Sequence, residues 1–568
     1  MDMNSTPENR LATAGCKPAR SARGRLSSAW LHTALAALLL PLAAAALAQS
    51  APQAAPAAPA LRSITFFVAP PPQPAASGVD ARAVPELDVP ALRDALGSRL
   101  GQPLTGEGLI EILGLVNAQL ARSGERFRSA RFPEQDLSEG RLVIQVTQAR
   151  VGDINVRAIR DQPGKADSIR RLLRVKPGDV LVQQTLDDDV EWINRSNPYR
   201  SAQVIAQPGR NVGETNLELL IDDRRPYGFS LAYDNNGTRV TGRDRVTFSA
   251  GWGNAFGLGH QLSYTLNANQ KPDRFASHSV GYVIPLEWRH LLSLSANVAE
   301  INPDLPVPFN QVGKSAGFGA RYDIPLRGGR AFSHGANAGF DYKRSDNNLL
   351  FSQTPVSNTL TEIFQFSAGY SVTLRDAWGQ TAAGLTWIHS PGGLGNSNSD
   401  AAFNASRAGA TARYDYQTLN IERNTRLPEE WSWMINLRVQ RASNNLLGSE
   451  QLAAGGFNSV RGFAEAVVFG DEGQMLRTEL KTPLRNIEIG NRASRVQGLL
   501  FYDAARVSNK NLLPGEVSVS ELSSWGVGLR AALPAGLSLR VDAGKQLTVN
   551  VPGTRPGHLV HVGLSAAF

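Results

Sequence analysis

The stretch Tyr227-Gly228-Phe229-Ser230-Leu231-Ala232-Tyr233 alternates strictly between large apolar side chains and small or polar ones. Successive side chains of a β-strand point to opposite faces, so a period of two predicts a strand with one apolar and one polar face. The same alternation recurs at residues 246–253, 261–266, 537–543 and 560–568. Residues 225–568 are therefore predicted to form one antiparallel β-domain.

The distribution of side chains over the two faces distinguishes a membrane barrel from a soluble β-sandwich or a secreted β-solenoid. Tyr227, Tyr233 and Trp252 lie on the apolar face near strand ends, as in the aromatic girdles of outer-membrane barrels. The opposite face carries mainly Gly, Ser, Thr, Asn and Arg, which suit a water-filled lumen better than a packed core. Open strand edges are not tolerated in hydrocarbon, so we predict a closed transmembrane antiparallel β-barrel.

The length of the alternating region sets the size of the barrel. At roughly ten residues per membrane strand, plus turns and outer loops, residues 227–568 predict about 16 strands, and 14 or 18 stay open. A barrel of this width has a lumen that its own side chains do not fill. It is therefore either an open pore or a plugged one.

The N-terminus is typical of an exported protein. Residues 1–48 combine a basic region, an apolar run and the small-residue sequence Ala46-Leu47-Ala48, which predicts a secretory signal peptide. Residues 49–60 are rich in Ala and Pro and predict an extended tether.

Cysteine and charge exclude several classes of function. The only cysteine, Cys16, lies in the predicted signal peptide, so the mature chain has no disulfide, no thiolate catalysis and no cysteine-ligated metal. The signal peptide contributes +3 of the formal net charge of +8, leaving +5 for the mature chain. With no basic run that is interleaved with aromatic residues, nothing indicates nucleic-acid binding.

Residues 61–224 differ from the rest of the chain because helical periodicity appears, and they divide into two similar units, 61–150 and 151–224. Each is predicted to be an α+β domain in which an amphipathic helix covers a sheet. The apolar residues that carry the prediction in the first unit are Leu109, Ile112, Leu113, Val116 and Leu120 on a helix, and Leu142, Ile144 and Val146 on a strand. In the second unit they are Ile169, Leu172 and Leu173, then Leu186, Val190 and Ile193 on helices, and Leu217, Leu219 and Ile221 on a strand.

No catalytic, metal or cofactor site is predicted. We interpret His558 and His561 as surface residues at a strand end, and the run of residues 187–189 (Asp-Asp-Asp) as the first turn of a helix, where acidic residues complement the helix dipole. The protein is therefore predicted not to be an enzyme.

Residues 455–463, Gly-Gly-Phe-Asn-Ser-Val-Arg-Gly-Phe, with Gly-Asp-Glu-Gly at 470–473, closely resemble a signature of the two-partner secretion outer-membrane transporters, the TpsB or haemolysin-activator family. In that family the Val-Arg-Gly-Phe core lies at the tip of a long loop folded back into the barrel. The resemblance implies such an inward loop around 455–473, with Val460, Arg461, Gly462 and Phe463 at its tip.

The same resemblance implies a partner for the arginine. The family pairs it with the aspartate of a Phe-x-Asp-x-Gly strand motif, which here corresponds to Phe501 and Asp503. Ala505 stands where the family usually has glycine.

Two further motifs resemble the periplasmic POTRA domains of the family, so that the resemblance covers residues 61–568. It implies that these motifs recognise the substrate. They comprise Pro133, Gln135, Asp136 and Leu137 in the first unit, and Asn194, Arg195, Asn197 and Pro198 in the second.

The function implied by the resemblance is that of an outer-membrane pore. Its POTRA domains in the periplasm would capture an unfolded, large exoprotein of haemagglutinin, haemolysin or adhesin type, for example by strand addition, and the barrel would pass it to the cell surface without nucleotide hydrolysis. The expected partners are the secreted exoprotein, outer-membrane lipid, and the barrel-assembly machinery through a C-terminal strand that ends at Phe568. No nucleic acid and no cofactor is expected.

Two alternatives and one question remain at this point. A barrel-assembly insertase of the same superfamily would usually carry more POTRA domains, and a passive porin would carry none and would lack the Val-Arg-Gly-Phe loop. Many relatives have an N-terminal helix that plugs the pore. The residues between Gln49 and Leu61 leave room for a much reduced plug at most, so the sequence does not say how the pore is gated.

Overall fold

The structure is a computed structural model and describes residues 58–124, 127–159, 169–211, 213–238, 241–305, 309–329, 331–351, 354–489, 492–512, 514–515, 517–550 and 556–568. The predicted signal peptide and residues 49–57 of the predicted tether lie outside the described residues. Residues 59 and 60 belong to the first folded unit, because the N–H of Leu104 donates to the carbonyl of Pro59 (2.9 Å) and Ala60 pairs with Pro103. The tether prediction was therefore too long at its C-terminal end.

The first α/β unit packs helices on one face of a sheet with strand order β2-β1-β4-β3. Strand β1 runs parallel to both β2 and β4, whereas β3 is antiparallel to β4. The strands are β1 (Ser63–Phe67), β2 (Gly78–Asp80), β3 (Arg128–Arg131) and β4 (Arg141–Gln148), and the helices are α1 (Pro90–Gly97) and α2 (Gly106–Arg122), with a 3-10 turn at Pro85–Leu87.

Helix α2 shows why this unit folds as the sequence predicts. It begins after Thr105, whose side chain accepts a hydrogen bond from the N–H of Gly108 and so satisfies a free donor of the first turn. The predicted apolar stripe faces the sheet: Ile112, Val116 and Leu120 are buried in one cluster with Leu142 and Ile144.

The second α/β unit has a sheet of order β5-β7-β6, with β5 parallel and β6 antiparallel to β7. Its elements are β5 (Arg150–Ala158), α3 (Gln183–Ser196), β6 (Arg200–Pro208) and β7 (Glu214–Asp223). The predicted core residues Leu186, Ile193, Leu217, Leu219 and Ile221 are buried together. The helix predicted around Ile169 cannot be followed before Ile169, because residues 160–168 lie outside the described residues.

The rest of the chain forms a closed barrel in which every neighbouring pair of strands is antiparallel, and β26 pairs with β8 to complete the ring. The strands are β8 (Tyr227–Asp234), β9 (Arg245–Ala255), β10 (His260–Ala268), β11 (Phe275–Pro285), β12 (Leu291–Ile301), β13 (Phe309–Leu326), β14 (Phe332–Phe351), β15 (Thr354–Asp376), β16 (Gly379–Pro391), β17 (Arg413–Arg426), β18 (Ser432–Ala442), β19 (Leu452–Ala454), β20 (Val468–Gly470), β21 (Glu472–Lys481), β22 (Arg485–Ile489), β23 (Arg492–Ser508), β24 (Val519–Ala532), β25 (Leu537–Val549) and β26 (His558–Ala567). A short helix, α4 (Asp400–Ser406), follows β16, and 3-10 turns occur at Pro428–Glu430 and Pro534–Gly536.

Strands β21 and β22 are two pieces of one barrel strand, because both pair with β23 one after the other, with the register shifted by one residue between Lys481↔Leu499 and Arg485↔Val496. Strands β19 and β20 pair only with each other, outside the ring. Counted in this way, the described residues form a barrel of 16 strands, which confirms the predicted fold class.

The two faces of the barrel wall are arranged as predicted for lipid outside and water inside. On β8, the side chains of Tyr227, Phe229, Leu231 and Tyr233 are between 38% and 56% exposed and point outward. The intervening residues are less exposed and face the lumen. Helices α1 to α4 are all too short or too polar to cross a membrane.

The two ends of the barrel differ in the length of their connections. The α/β units and Phe568 lie at the end where short turns join the strands, such as residues 256–259 and 286–290. Long connections, residues 392–412 and 443–471, lie at the opposite end. Because outer-membrane barrels have short periplasmic turns and longer external loops, the α/β units lie on the periplasmic side.

Candidate functional site: the inward loop in the barrel lumen

Residues 443–471 connect β18 to β21 and are called the inward loop here. Strands β19 and β20 form its stem, a short antiparallel hairpin, and residues 455–467 form its tip. The predicted range of 455–473 runs two residues too far, because Glu472 and Gly473 already belong to β21. The tip contacts lumen-facing side chains of β21, β23, β25 and β26, as the following contacts show.

Arg461 at the tip is completely buried, with 0% of its side chain exposed. Its Nε and Nη2 donate to the two carboxylate oxygens of Asp503 at 2.7 and 2.8 Å, a bidentate pair. Its Nη1 donates to Glu479 Oε1 at 2.6 Å, and its guanidinium carbon lies 3.8 Å above the ring of Phe501. Asp503 and Phe501 both contact the guanidinium from β23.

The electrostatic surroundings of Arg461 are richer than the sequence suggested. Asp542 on β25 lies 3.6 Å from its Nη1, so the arginine has Glu479, Asp503 and Asp542 around it. Asp542 also binds Arg530 and Arg540, with shortest distances of 2.8 and 2.7 Å. A buried ion needs excellent geometry and further hydrogen bonds to offset its desolvation, and this network provides both.

Gly462 brings the backbone of the loop against the barrel wall. Its N–H donates to His561 Nε2 on β26 (3.0 Å), and its carbonyl accepts from Gln546 Nε2 on β25 (2.6 Å). Its φ is +86°, and a Cβ at this position would lie 3.0 Å from the backbone carbonyl group of Gly544. Only glycine fits both the conformation and the space.

His561 corrects a prediction. It is not a surface residue at a strand end, because it is only 1% exposed and accepts the Gly462 N–H inside the lumen. Alternation on β26 turns His561 inward together with the polar face, and the loop tip then covers it. His558, three residues earlier, is exposed as predicted.

Hydrophobic packing holds the other two residues of the Val-Arg-Gly-Phe core. Val460 and Phe463 are 0% and 2% exposed, and they belong to a buried cluster with Ala505 and residues of β19, β20, β21 and β24. The methyl group of Ala505, where the family usually has glycine, is therefore accommodated as part of this cluster.

We expect Gly462→Ala to displace the loop tip. An L-residue in the left-handed region costs ~1–2 kcal/mol, and the contact with Gly544 adds to that cost. Trypsin cleavage within residues 455–467 of the purified barrel should become faster. Gly515→Ala is the matched control, since Gly515 has a φ of +88° with nothing within 4 Å of its Cβ position. Equal cleavage of the two variants would contradict the role assigned to the Gly544 contact.

The outer end of the inward loop is held by a second buried carboxylate. Asp471 is 0% exposed and receives a bidentate contact from Arg407, whose Nη2 lies 3.1 Å from Oδ2. The N–H groups of Leu446 and Lys510 donate to the same carboxylate, each at 2.9 Å. Asp471 therefore ties together three external connections, those that follow β16, β18 and β23.

The connection after β16, residues 392–412, folds over the outer mouth and is called the outer segment. Phe403 of α4 is 0% exposed and packs with Ile363 and Tyr414, which face the lumen from β15 and β17. The carboxylate of Glu450 in the inward loop accepts one hydrogen bond from Lys343 Nζ (2.7 Å) and one from the Tyr416 hydroxyl (2.9 Å). In this conformation, folded chain occupies the external end of the lumen.

The POTRA-motif residues of the first unit are engaged within the unit. Gln135 forms a pair of hydrogen bonds with the backbone of Val143, donating to its carbonyl (2.8 Å) and accepting from its N–H (2.7 Å). The N–H of Ser138 donates to Asp136 (2.9 Å), which lowers the pKa of that carboxyl. Leu137 packs against the core of the unit, and Pro133 is half-buried.

In the second unit, Asn194 binds the backbone of Ala202 in both directions, at 2.6 and 3.2 Å. Asn197 donates to the carbonyl of Gly253 in the barrel (2.9 Å). Arg195 and Pro198 are exposed.

The interpretation of residues 187–189 is wrong. Helix α3 begins at Gln183, so these aspartates lie in its second turn and beyond, and the first turn has no acidic residue. Asp189 is buried and pairs with Arg174 (2.7 Å) and with Arg289 of the barrel (2.8 Å). Within the described ranges, no group of three or more His, Cys, Asp or Glu residues is placed to hold a metal ion.

Several residues of the site were not found from the sequence, namely Glu479, Asp542, Gln546, Arg407 and the lumen-facing role of His561. Alternation does place Asp542 on the polar face of its strand, but it gives no reason to bring that residue to Arg461. Only closure of the barrel puts β21, β25 and β26 around one loop tip.

A closed barrel with α/β units on its periplasmic side and an arginine-bearing loop locked in its lumen defines an outer-membrane polypeptide transporter. The family described as haemolysin secretion/activation protein ShlB/FhaC/HecB matches residues 213–531. The chain belongs to this family of two-partner secretion transporters, and it moves an exoprotein across the outer membrane with its N-terminal domains in the periplasm. The insertase and porin alternatives are not supported.

Individual relatives agree with this assignment. The chain is 23% identical over 440 residues to the heme/hemopexin transporter protein HuxB of Haemophilus influenzae strain 86-028NP, which covers 74% of each chain. It is 23% identical over 444 residues to the outer membrane transporter CdiB of Dickeya dadantii strain 3937, which covers 75% of each. The solved structure of CdiB from Escherichia coli superposes with a TM-score of 0.71 at 19% identity, over 92% of this chain and 93% of that one, and so shares its fold.

Proposed function

We propose that the transporter captures its exoprotein, a large haemagglutinin-, haemolysin- or adhesin-like chain, in an unfolded state by strand addition to β6. The proposal rests on one observation: among the described residues, β6 pairs with β7 on one side and has no strand on the other. Such main-chain recognition tolerates varied side chains, as an unfolded substrate requires.

The other sheet edges are less suited to this role. Strands β2 and β3 at the edges of the first unit have 3 and 4 residues, whereas β6 has 9. The free side of β5 is partly covered, because the N–H of Val151 donates to the carbonyl of Asp179 (2.8 Å) and the N–H of Gly178 to the carbonyl of Val151 (2.7 Å). In the first unit, Gln135 occupies the backbone of β4 beyond the end of β3 in the same way. On β6, Asn194 does this at Ala202, near the start of the strand, so the edge proposed for capture is the part beyond it, residues 204–207.

Binding to β6 is tested with Ile205→Lys. Ile205 is 41% exposed, and a lysine on an edge strand opposes the addition of a further strand. We expect the affinity of the detergent-solubilised mature protein for a urea-unfolded N-terminal fragment of its exoprotein to fall by about tenfold, equivalent to about 1.4 kcal/mol.

Gln207→Lys is the matched control, because Gln207 is an exposed polar residue on the same face of β6. It introduces the same charge on the same edge without removing an apolar side chain, so the difference between the two variants measures what the Ile205 side chain itself contributes. Unchanged affinity in Ile205→Lys would rule out β6 as the binding edge.

After capture, the substrate passes through the polar lumen without nucleotide hydrolysis or any other catalytic step, and folding outside biases its movement outward. The inward loop, held by Arg461 and Asp503, sets the working width of the lumen. The polar lining of the wall supports this proposal, because an extended backbone can exchange hydrogen bonds with water and side chains there.

The C-terminal strand also serves assembly of the barrel itself. Phe568 pairs through its backbone with Phe229 (2.9 and 3.3 Å), and its side chain is 78% exposed. We propose that this side chain is the part of the strand that the barrel-assembly machinery recognises. Phe568→Ser should then lower the amount of folded barrel in the membrane, whereas equal amounts would argue against the assignment.

A further inference from the structure

We infer that the second POTRA motif is a joint that fixes the second α/β unit to the periplasmic rim of the barrel, and that it positions the capture edge instead of binding the exoprotein. The inference concerns Asn197 and Tyr199 together with their contacts on β8, β9 and β10. It rests on the proposed function only in so far as β6 is the edge being positioned.

Tyr199 is the centre of the joint. Its ring lies against three glycines on the lumen-facing side of β8 and β9, namely Gly228, Gly251 and Gly253. A Cβ at Gly253 would lie 1.9 Å from Tyr199 Cδ2, and a Cβ at Gly251 would lie 2.3 Å from its hydroxyl oxygen. No larger residue at these two positions is compatible with the ring where it lies, so the wall has a recess that fits Tyr199.

Hydrogen bonds on both sides of Tyr199 fix the chain in this recess. Asn197 Nδ2 donates to the carbonyl of Gly253 (2.9 Å), while its Oδ1 accepts from the N–H of Tyr199 (2.9 Å). Gln261 Nε2 on β10 donates to the carbonyl of Ser196 (2.9 Å), the last residue of α3. Both polar atoms of the Asn197 amide are thus hydrogen-bonded within the chain.

Helix α3 is also held along its first half, at Gln184 and Asp189. Arg289, in the turn between β11 and β12, pairs with buried Asp189 (2.8 Å) and donates to the carbonyl of Leu172 (2.8 Å). Gln184 donates to the carbonyl of Gly328 in the turn between β13 and β14 (3.0 Å). Because Asp189 is 0% exposed, it requires its cationic partners, and one of these belongs to the barrel.

Attachment at both ends of α3 prevents the unit from pivoting on the rim. Gln184 and Ser196 are 12 residues apart on α3, which is about 18 Å at 1.5 Å per residue, so these two attachments are widely spaced. None of these contacts uses the free side of β6. The joint therefore presents that edge in one fixed direction relative to the lumen.

The test uses the full mature chain with Tyr199→Ala. Two spin labels are attached to cysteines introduced at Gln203 on β6 and at Ala377 in a periplasmic turn; both positions are exposed, and the mature chain has no other cysteine. We expect one narrow distance distribution in the parent and a broad one in Tyr199→Ala. An equally narrow distribution in the variant would overturn the inference.

A functional readout separates positioning from recognition. Affinity for the unfolded exoprotein fragment should stay within about twofold of the parent in Tyr199→Ala, while secretion falls by about tenfold or more. Loss of affinity in proportion to secretion would instead assign the motif to substrate recognition. Gly253→Ala should reproduce the Tyr199→Ala distance distribution, and combining the two should add little, because both disrupt one contact.

The two proposals fail in different ways. If Ile205→Lys leaves binding intact while Tyr199→Ala broadens the distance distribution, the capture edge is wrong and the joint stands. If Ile205→Lys weakens binding and Tyr199→Ala leaves the distribution narrow, the joint is wrong and the capture edge stands.

Discussion

Arg461→Ala is expected to abolish secretion while leaving the barrel folded and present in the membrane. The substitution leaves Asp503 buried beneath the loop tip without its bidentate cation, and it removes the shortest of the cationic contacts of Glu479. Breaking a buried pair by removing one partner costs about 3–5 kcal/mol. A cost of this size lowers the ratio of docked to undocked loop by roughly a hundredfold or more. Secreted exoprotein in the medium and heat-modifiable barrel in the membrane are the two quantities to measure.

Two further variants make this prediction specific. Arg441→Ala is the control, because the Arg441 side chain is 70% exposed and its ion pair with Glu472 is long, at 3.8 Å. Exchange of the two charges, Arg461→Asp with Asp503→Arg, should restore part of the secretion if the pair itself matters. Normal secretion by Arg461→Ala at normal barrel levels would show that docking of the loop through Arg461 is not needed for secretion.

Asp471→Ala is expected to open the outer mouth. The carboxylate ties the outer segment to the inward loop through Arg407, and its loss leaves that guanidinium with much weaker partners. Since a buried pair of this kind is worth about 3–5 kcal/mol when one partner is removed, the outer segment should leave the lumen. Ion conductance of the purified protein in planar bilayers should rise roughly several-fold. Bacteria that express the variant should also become sensitive to large antibiotics.

Arg407→Ala should act in the same direction, and Arg413→Ala should not, because Arg413 is exposed at the start of β17. A reversible test uses cysteines at Thr411 and Asn444, whose side chains are hydrogen-bonded at 3.1 Å. Oxidation should hold the outer segment closed and block secretion, and reduction should restore it. Conductance that is unchanged in Asp471→Ala would show that the outer segment is no barrier.

The barrel could be predicted from the sequence because its physical cause is local. A lipid-facing wall forces apolar and polar side chains to alternate along each strand, so the segment from Tyr227 to Tyr233 is enough to predict a strand of this kind. In the first α/β unit, the apolar stripe of α2 is likewise enough to predict a helix that covers a sheet. The strand count followed from length. Predicting these features does not require knowing which residues far apart in the sequence are in contact.

The site depends on distant residues and was therefore only partly predictable. Arg461 and Asp503 were found through the family resemblance, whereas Glu479, Asp542 and His561 come together only when the barrel closes. His561 was misassigned because nothing in the sequence of its strand shows that the loop tip covers it inside the lumen. Residues 187–189 were misassigned because α3 begins after Val182, which offers no capping side chain to mark the start.

The question that the sequence left open, how the pore is closed, has a physical answer at the outer mouth. The outer segment packs Phe403 against the lumen wall, and Asp471 holds it there. No sequence pattern indicated this closure, since Arg407 and Asp471 are 64 residues apart. Any contribution from residues 49–57 lies outside the described part of the chain.

The central claim is that the lumen conducts an unfolded polypeptide, and reconstitution tests it most directly. The mature protein is placed in liposomes, a urea-unfolded exoprotein fragment is diluted onto the periplasmic face, and external protease is then added. The account predicts that full-length fragment accumulates inside, protected, without any nucleotide, and that Arg461→Ala vesicles protect none. Equal protection by vesicles that lack the protein, or no protection with the parent chain, would contradict it.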